Sequence, residues 1–104
     1  LYQSSGTPFG IETAAHMRLV FTDPFQRDYR TLPADVQRAL SKALKFLLEN
    51  PRHPSLRAKK IPGTEIWYAR ASRAYRFTFQ FKGDTVTLRR VGTHAILSRE
   101  RKQS

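Results

Sequence analysis

The sequence predicts an α+β fold: an N-terminal strand, a helical hairpin, then a three-stranded antiparallel meander that completes a mainly antiparallel four-stranded sheet. Two observations carry this expectation. Residues 75–94, YRFTFQFKGDTVTLRRVGTH, alternate apolar and polar side chains on both sides of Gly83-Asp84, the pattern of a β-hairpin closed by a Gly-Asp turn. Residues 25–48 instead place apolar side chains at helical spacing. The 104 residues, 39% hydrophobic and without repeats or low-complexity tracts, suffice for one small core.

Residues 1–16, LYQSSGTPFGIETAAH, contain no Lys or Arg and no periodic pattern. They lack the basic and apolar regions of a signal peptide and are expected to be a vector-derived leader, with Met17 the natural start. Residues 17–104 form the single expected domain. Arg18 to Thr22 is rich in Leu, Val and Phe and predicts a strand. Asp23-Pro24 starts a helix, Asp capping the orphan amides and Pro fitting the first turn. Phe25, Tyr29 and Leu32 then share one face. Pro33 restarts a second helix, striped by Val36, Leu40, Ala43, Leu44, Leu47 and Leu48 and stopped by Asn50-Pro51. Arg52 to Ile61 breaks the pattern and reads as an irregular connection. Glu65 to Ala71 is the next strand, and Ser72-Arg73-Ala74 turns the chain into the hairpin. Ala95 to Arg99 is read as one helical turn.

In the hairpin, Lys82 is expected to pair with Thr85, Gln80 with Thr87 and Thr78 with Arg89. Phe77, Phe79, Phe81, Val86 and Leu88 then share a core face that the helical hairpin covers. Arg76, Thr78, Gln80, Thr87 and Arg89 share the opposite face, and the chain leaves through Thr93 and His94. Arg76 and Arg89 become diagonal neighbours, roughly 7–8 Å apart, and two such guanidinium groups suit an anion between them.

The charge balance narrows the partners. Nineteen Lys and Arg face eight Asp and Glu, a net charge of +11. Most of the cations are Arg, whose planar fork matches phosphate in two places at once, so nucleic acid is the expected partner. No basic amphipathic helix and no long apolar run argues for a membrane. Without cysteine there is no disulfide framework or thiolate metal site, which suits the cytoplasm. No acid pair, Gly-rich phosphate loop or nucleophile motif is present. No metal and no cofactor is therefore expected.

RNA cleavage needs neither. The ribose 2′-hydroxyl attacks the adjacent phosphate while a protein moves two protons and stabilises charge on phosphorus. Imidazole suits either proton task and Arg suits the charge. His53, His94, Arg70, Arg76 and Arg89 could form such a set, provided the His53 loop folds over the polar face. Each has a plainer reading: His94 as a strand-end histidine, His53 as an exposed loop histidine. Arg70 depends on register. A three-residue turn at Ser72–Ala74 puts it on the Arg76 face, and a two-residue turn puts Trp67 and Ala69 there. Tyr68 is undecided between core and base-stacking platform for the same reason. Arg57, Lys59, Lys60 and Arg73 are expected to contact an RNA backbone, with Arg89.

The segments FQRDYRTLP, NPRHPSL, IWYARAS, YRFTFQ, GDT and LRRVGTH, in this order across residues 17–97, together resemble the RelE/ParE superfamily of bacterial toxin–antitoxin toxins, and its RelE/YafQ-like branch in particular. The resemblance implies a compact sheet packed on a helical hairpin. It also implies a cytoplasmic toxin, monomeric when alone and neutralised by a cognate antitoxin. RelE-like members cleave mRNA on the ribosome, against 16S ribosomal RNA; ParE-like members inhibit DNA gyrase without chemistry. Position by position, Arg76 matches the arginine set against the scissile phosphate. His94, in Gly92-Thr93-His94, matches the proposed general acid of YafQ-like toxins. His53, in His53-Pro54, matches a histidine of the same branch's site. The chain departs from the pattern where Tyr68 and Arg70 stand on the strand that carries catalytic lysines in some members. The Asp-Trp pair and second histidine of the YafQ branch are also missing, as is a C-terminal tyrosine.

Overall fold

The structure, a computed structural model, describes residues 18–103; the leader expected at residues 1–16 lies outside them. Nine elements follow in order: β1 (Arg18–Phe21), α1 (Asp23–Arg30), α2 (Ala34–Glu49), a short 3-10 turn (Pro54–Leu56), β2 (Lys59–Lys60), β3 (Trp67–Arg70), β4 (Tyr75–Lys82), β5 (Thr85–Thr93) and α3 (Ile96–Gln103). The strands form one sheet in the order β1-β5-β4-β3-β2. β1 runs parallel to β5, and every other pairing is antiparallel. The class is the expected α+β, with five strands rather than four. The extra one is β2, which lies where an irregular connection was expected.

Local chemistry explains the helices. Thr22, not Asp23, caps α1, its hydroxyl accepting from the Phe25 amide at 3.4 Å. Asp23 instead occupies the first turn, where a carboxylate favours the positive end of the helix dipole. Pro33 precedes α2, and the Gln37 side chain donates to the Tyr29 carbonyl at 2.8 Å, tying the two helices together. The α2 stripe buries Val36, Leu40, Ala43, Leu44 and Leu47 against Ala69, Phe77, Phe79, Val86, Leu88 and Val91 of the sheet. Each fully buried Leu or Phe contributes about 1.5–3 kcal/mol. Phe81, expected in this core, is 36% exposed near the Gly83-Asp84 turn, edge-on to Trp67.

Two features position the opposite, polar face. The first is a bulge. Apolar residues in β5 fall at Val86, Leu88 and Val91, so the final step is three rather than two residues. The ladder accommodates it: Phe79 pairs with Leu88, but Thr78 pairs with Arg90, leaving Arg89 as the extra residue. The expected pairing of Thr78 with Arg89 is thereby corrected, and Arg76 faces Gly92 instead of lying diagonal to Arg89. The second is α3, longer than the single turn expected. It crosses the polar face over β5. Ile96 is buried so close to Gly92 that a Cβ there would lie 2.9 Å from its Cγ2. Farther along, the Glu100 carboxylate is buried over Thr78, accepting from its hydroxyl at 3.0 Å.

Candidate active site

The register of β3 and β4 fixes the first pair of candidate side chains. The Ala71 amide donates to the Tyr75 carbonyl at 3.0 Å, so Ser72–Ala74 form the three-residue turn. Arg70 consequently lies directly opposite Arg76, on one face. Like charges so placed repel each other. The Arg76 guanidinium is nonetheless held: its Nη1 donates to the carbonyls of Ser72 and Tyr75 at 3.0 Å and of Arg73 at 3.3 Å. These acceptors orient the group at the turn end of the sheet and leave Nε and Nη2 without a hydrogen bond to any described residue. Among the described residues, neither Arg70 nor Arg76 forms an ion pair.

His94 stands at this same end. It follows Thr93, the last β5 residue, which pairs with Tyr75 next to Arg76. Its carbonyl accepts from the Leu97 amide at 3.1 Å as α3 begins, while its imidazole is exposed and makes no hydrogen bond to a described residue. Two arginines of the polar face thus lie at the end of the sheet where the chain leaves β5 through His94, and guanidinium and imidazole groups are together able to hold a phosphate and exchange a proton with it.

His53 does not join them. The 3-10 turn that follows it buries Leu56 among the core residues beneath the sheet. The His53 ring stacks on Phe46 of α2, centroids 4.0 Å apart. Its Nδ1 accepts from the Ser55 amide at 3.1 Å and caps the turn. That contact uses the Nδ1 lone pair, which in this arrangement is not open to a substrate. The loop folds against the helical side rather than over the polar face, which corrects the expectation that His53 joins Arg76 and His94.

Arg89 is also diverted. Its Nε meets Glu100 Oε1 at 2.6 Å, and Nη1 donates to Gln80 at 3.0 Å. Arg90 pairs with Asp28 at 2.7 Å, and the same carboxylate accepts from the Val91 amide at 3.1 Å. The hydrogen bond to Asp28, chiefly, raises the Arg90 pKa, with burial opposing it. Asp28 thus occupies the β5 edge beyond the point where β1 ends. The other cations remain on the surface. Lys60 meets Glu65 at 3.4 Å. Lys59 sits opposite Tyr68. Arg73 is exposed in the turn, and Arg57 is exposed in a left-handed conformation, φ 49°, after the 3-10 turn.

Sequence reasoning gave no role to Asp28 or Glu100. Their roles depend on pairings across 62 and 11 residues, for which the local pattern holds no signal. The bulge did leave one, in the Leu88 to Val91 spacing. Among the described residues no three of His, Cys, Asp and Glu gather where a metal ion could be held.

The architecture is that of a class of small toxins from toxin–antitoxin systems. Free E. coli RelE, an arginine double mutant, superposes with a TM-score of 0.66 at 24% identity, over 85% of this chain and 97% of that one. More particularly, YafQ from E. coli strain BL21(DE3) gives 0.65 at 14% identity over 78% and 97%. A YoeB/ParE toxin from Agrobacterium tumefaciens gives 0.65 at 18% over 75% and 99%. No family model and no curated protein matches the sequence. The chain therefore has the RelE/ParE toxin fold along nearly the whole length of these proteins.

Proposed function

We propose that this chain is the toxin of a toxin–antitoxin pair and acts as a ribosome-dependent mRNA endoribonuclease. The observation that carries the reading is the opposed Arg70–Arg76 pair, without a carboxylate partner among the described residues, beside the exposed His94. In this mechanism the 2′-hydroxyl attacks phosphorus and its proton passes to water. The P–O5′ bond breaks as His94 protonates the leaving oxygen, giving a 2′,3′-cyclic phosphate and a 5′-hydroxyl. Arg76, oriented by the turn carbonyls, and Arg70 stabilise the charge that builds on the phosphoryl oxygens. General acid help of this kind contributes about 10²–10⁴-fold. Arg57, Lys59 and Arg73 contact the RNA backbone and 16S ribosomal RNA.

A cognate antitoxin is the expected second partner, since a chain of net charge +11 favours an acidic companion. The RelB-RelE antitoxin–toxin complex of Methanococcus jannaschii, TM-score 0.63 at 21% identity over 78% of this chain and 96% of that one, supports this. Without the antitoxin the toxin is monomeric. No helix of the described residues is long and apolar enough to cross a membrane, and the ribosomal substrate places the activity in the cytoplasm.

Primer extension on mRNA from cells briefly producing the chain, beside His94→Ala and Arg76→Ala, tests the reading. Discrete in-frame cuts that vanish in both variants are expected. Growth arrest without cuts, unchanged in His94→Ala and accompanied by blocked supercoiling, overturns it in favour of gyrase inhibition. Salt-sensitive nucleic-acid binding with neither cuts nor arrest reduces the chain to a binding module.

A further inference from the structure

The polar face of the sheet is divided. Over β5, α3 covers it, with Ile96 against Gly92 and Glu100 against Thr78 and Arg89. Among the described residues no helix packs over β3 and the edge strand β2 on this face, and Tyr68 lies there. The register settles which way this side chain faces: its partners are Thr78 on one side and Lys59 on the other, so it shares the face of Arg70 and Arg76. Tyr68 is half-buried. Among the described residues its ring stacks on no other aromatic and its hydroxyl makes no hydrogen bond, unlike Phe77, Phe79, Phe81 and Trp67, which pack on one another across the opposite face.

An aromatic ring left unstacked among cations has a physical use. Single-stranded RNA is held by basic groups that track its backbone and by aromatic faces on which its bases stack, as on other open sheets. Tyr68 lies two residues from Arg70 along the strand, about 7 Å, on the side away from the turn. Lys59, exposed, flanks it on the sheet edge. Resting on the reading of this face as an RNA site, we propose that Tyr68 is the stacking platform for the base next to the phosphate held by Arg70 and Arg76. It thereby selects which nucleotide lies beside the cut. Stacking favours the larger ring system, so a purine is preferred at that position.

The test uses the whole chain and a short single-stranded RNA carrying one 2-aminopurine, titrated over a range of salt concentrations. Tyr68→Leu is expected to weaken binding about 5- to 100-fold, to abolish the quenching of 2-aminopurine emission, and to leave the salt slope unchanged. Tyr68→Phe keeps the ring and should retain both affinity and quenching. Arg76→Ala should instead weaken binding and flatten the salt slope by about 0.7. If Tyr68→Leu binds like the unaltered chain while Arg76→Ala does not, the stacking role is overturned and the RNA reading stands. Absence of quenching by the unaltered chain, read without any variant, also overturns it. Absence of RNA binding by the unaltered chain overturns the stacking platform as well, while ribosome-dependent cleavage is decided separately by primer extension.

Discussion

Four arginines of β3, β4 and β5 reach the polar face of this sheet, and they meet two different fates. On β5, Arg89 and Arg90 are each paired with a carboxylate, Glu100 at 2.6 Å and Asp28 at 2.7 Å. On β3 and β4, Arg70 and Arg76 oppose one another with no ion pair among the described residues. The β5 pair binds elements together, since Glu100 brings α3 onto the sheet and Asp28 joins α1 to the β5 edge. The β3–β4 pair costs the fold some repulsion and gives it few contacts. Nearness in sequence and sharing a face do not make a site; what separates the structural arginines from the candidate ones here is whether the fold supplies a counter-charge.

The contrast breaks most sharply at Arg76. Replacing it with Ala should lower mRNA cleavage about 10²–10³-fold, the scale for losing one donor to a developing anion. Thermal stability should hardly change, because three carbonyls of an exposed turn then turn to water. A matching loss of stability would mean that Arg76 belongs with the structural arginines. The converse is Glu100→Ala, which leaves the Arg89 charge and the buried Thr78 hydroxyl without their partner. A loss of about 2–3 kcal/mol is expected, read as a lower urea midpoint. Cleavage per folded molecule should change far less than in Arg76→Ala.

Much of this arrangement was legible in the sequence, and the rest failed for definable reasons. The helical hairpin and the Gly83-Asp84 hairpin follow from periodicity, which burial on one face imposes directly, and β1 from its Leu, Val and Phe content. β2 has only Lys59 and Lys60, both exposed, so no alternation betrays it. The face of Arg70 depended on the length of a turn that the residues Ser72-Arg73-Ala74 do not fix. α3 has apolar residues only at its start, and what seats its far end is the carboxylate of Glu100, whose partners lie on two strands. The positions of Arg76 and His94 at one end of the sheet were legible because each stands at the edge of a regular pattern. His53 was misplaced because nothing in a broken pattern says which side of a sheet a loop will cover.

The smaller effects sharpen the same comparison. Asp28→Asn removes the counter-charge of Arg90 but keeps an oxygen able to accept from the Val91 amide, so about 1–2 kcal/mol should be lost. The Arg90 pKa is raised by Asp28, so the Arg90 contribution is complete below its unfolded value. It would fall away only as pH rises through the folded value, above the ordinary arginine range. The effect of Asp28→Asn, measured by urea unfolding, should therefore be flat across neutral pH.

His53→Ala is the finest of these tests, because it asks whether a histidine matched to the family site is structural in this chain. The substitution removes the acceptor of the Ser55 amide and the ring stacked on Phe46. Loss of a comparable cap costs about 1 kcal/mol, and the exposed 3-10 turn should show faster amide exchange at Ser55. The turn end of the polar face, with Arg70, Arg76 and His94, is built by β3, β4 and β5 and does not draw on His53. Cleavage should accordingly survive His53→Ala within a few-fold, and fall with His94→Ala. Equal losses in the two variants would instead bring the His53 loop into the reaction, through a rearrangement that frees Nδ1 from the Ser55 amide and carries the ring to the other side of the sheet.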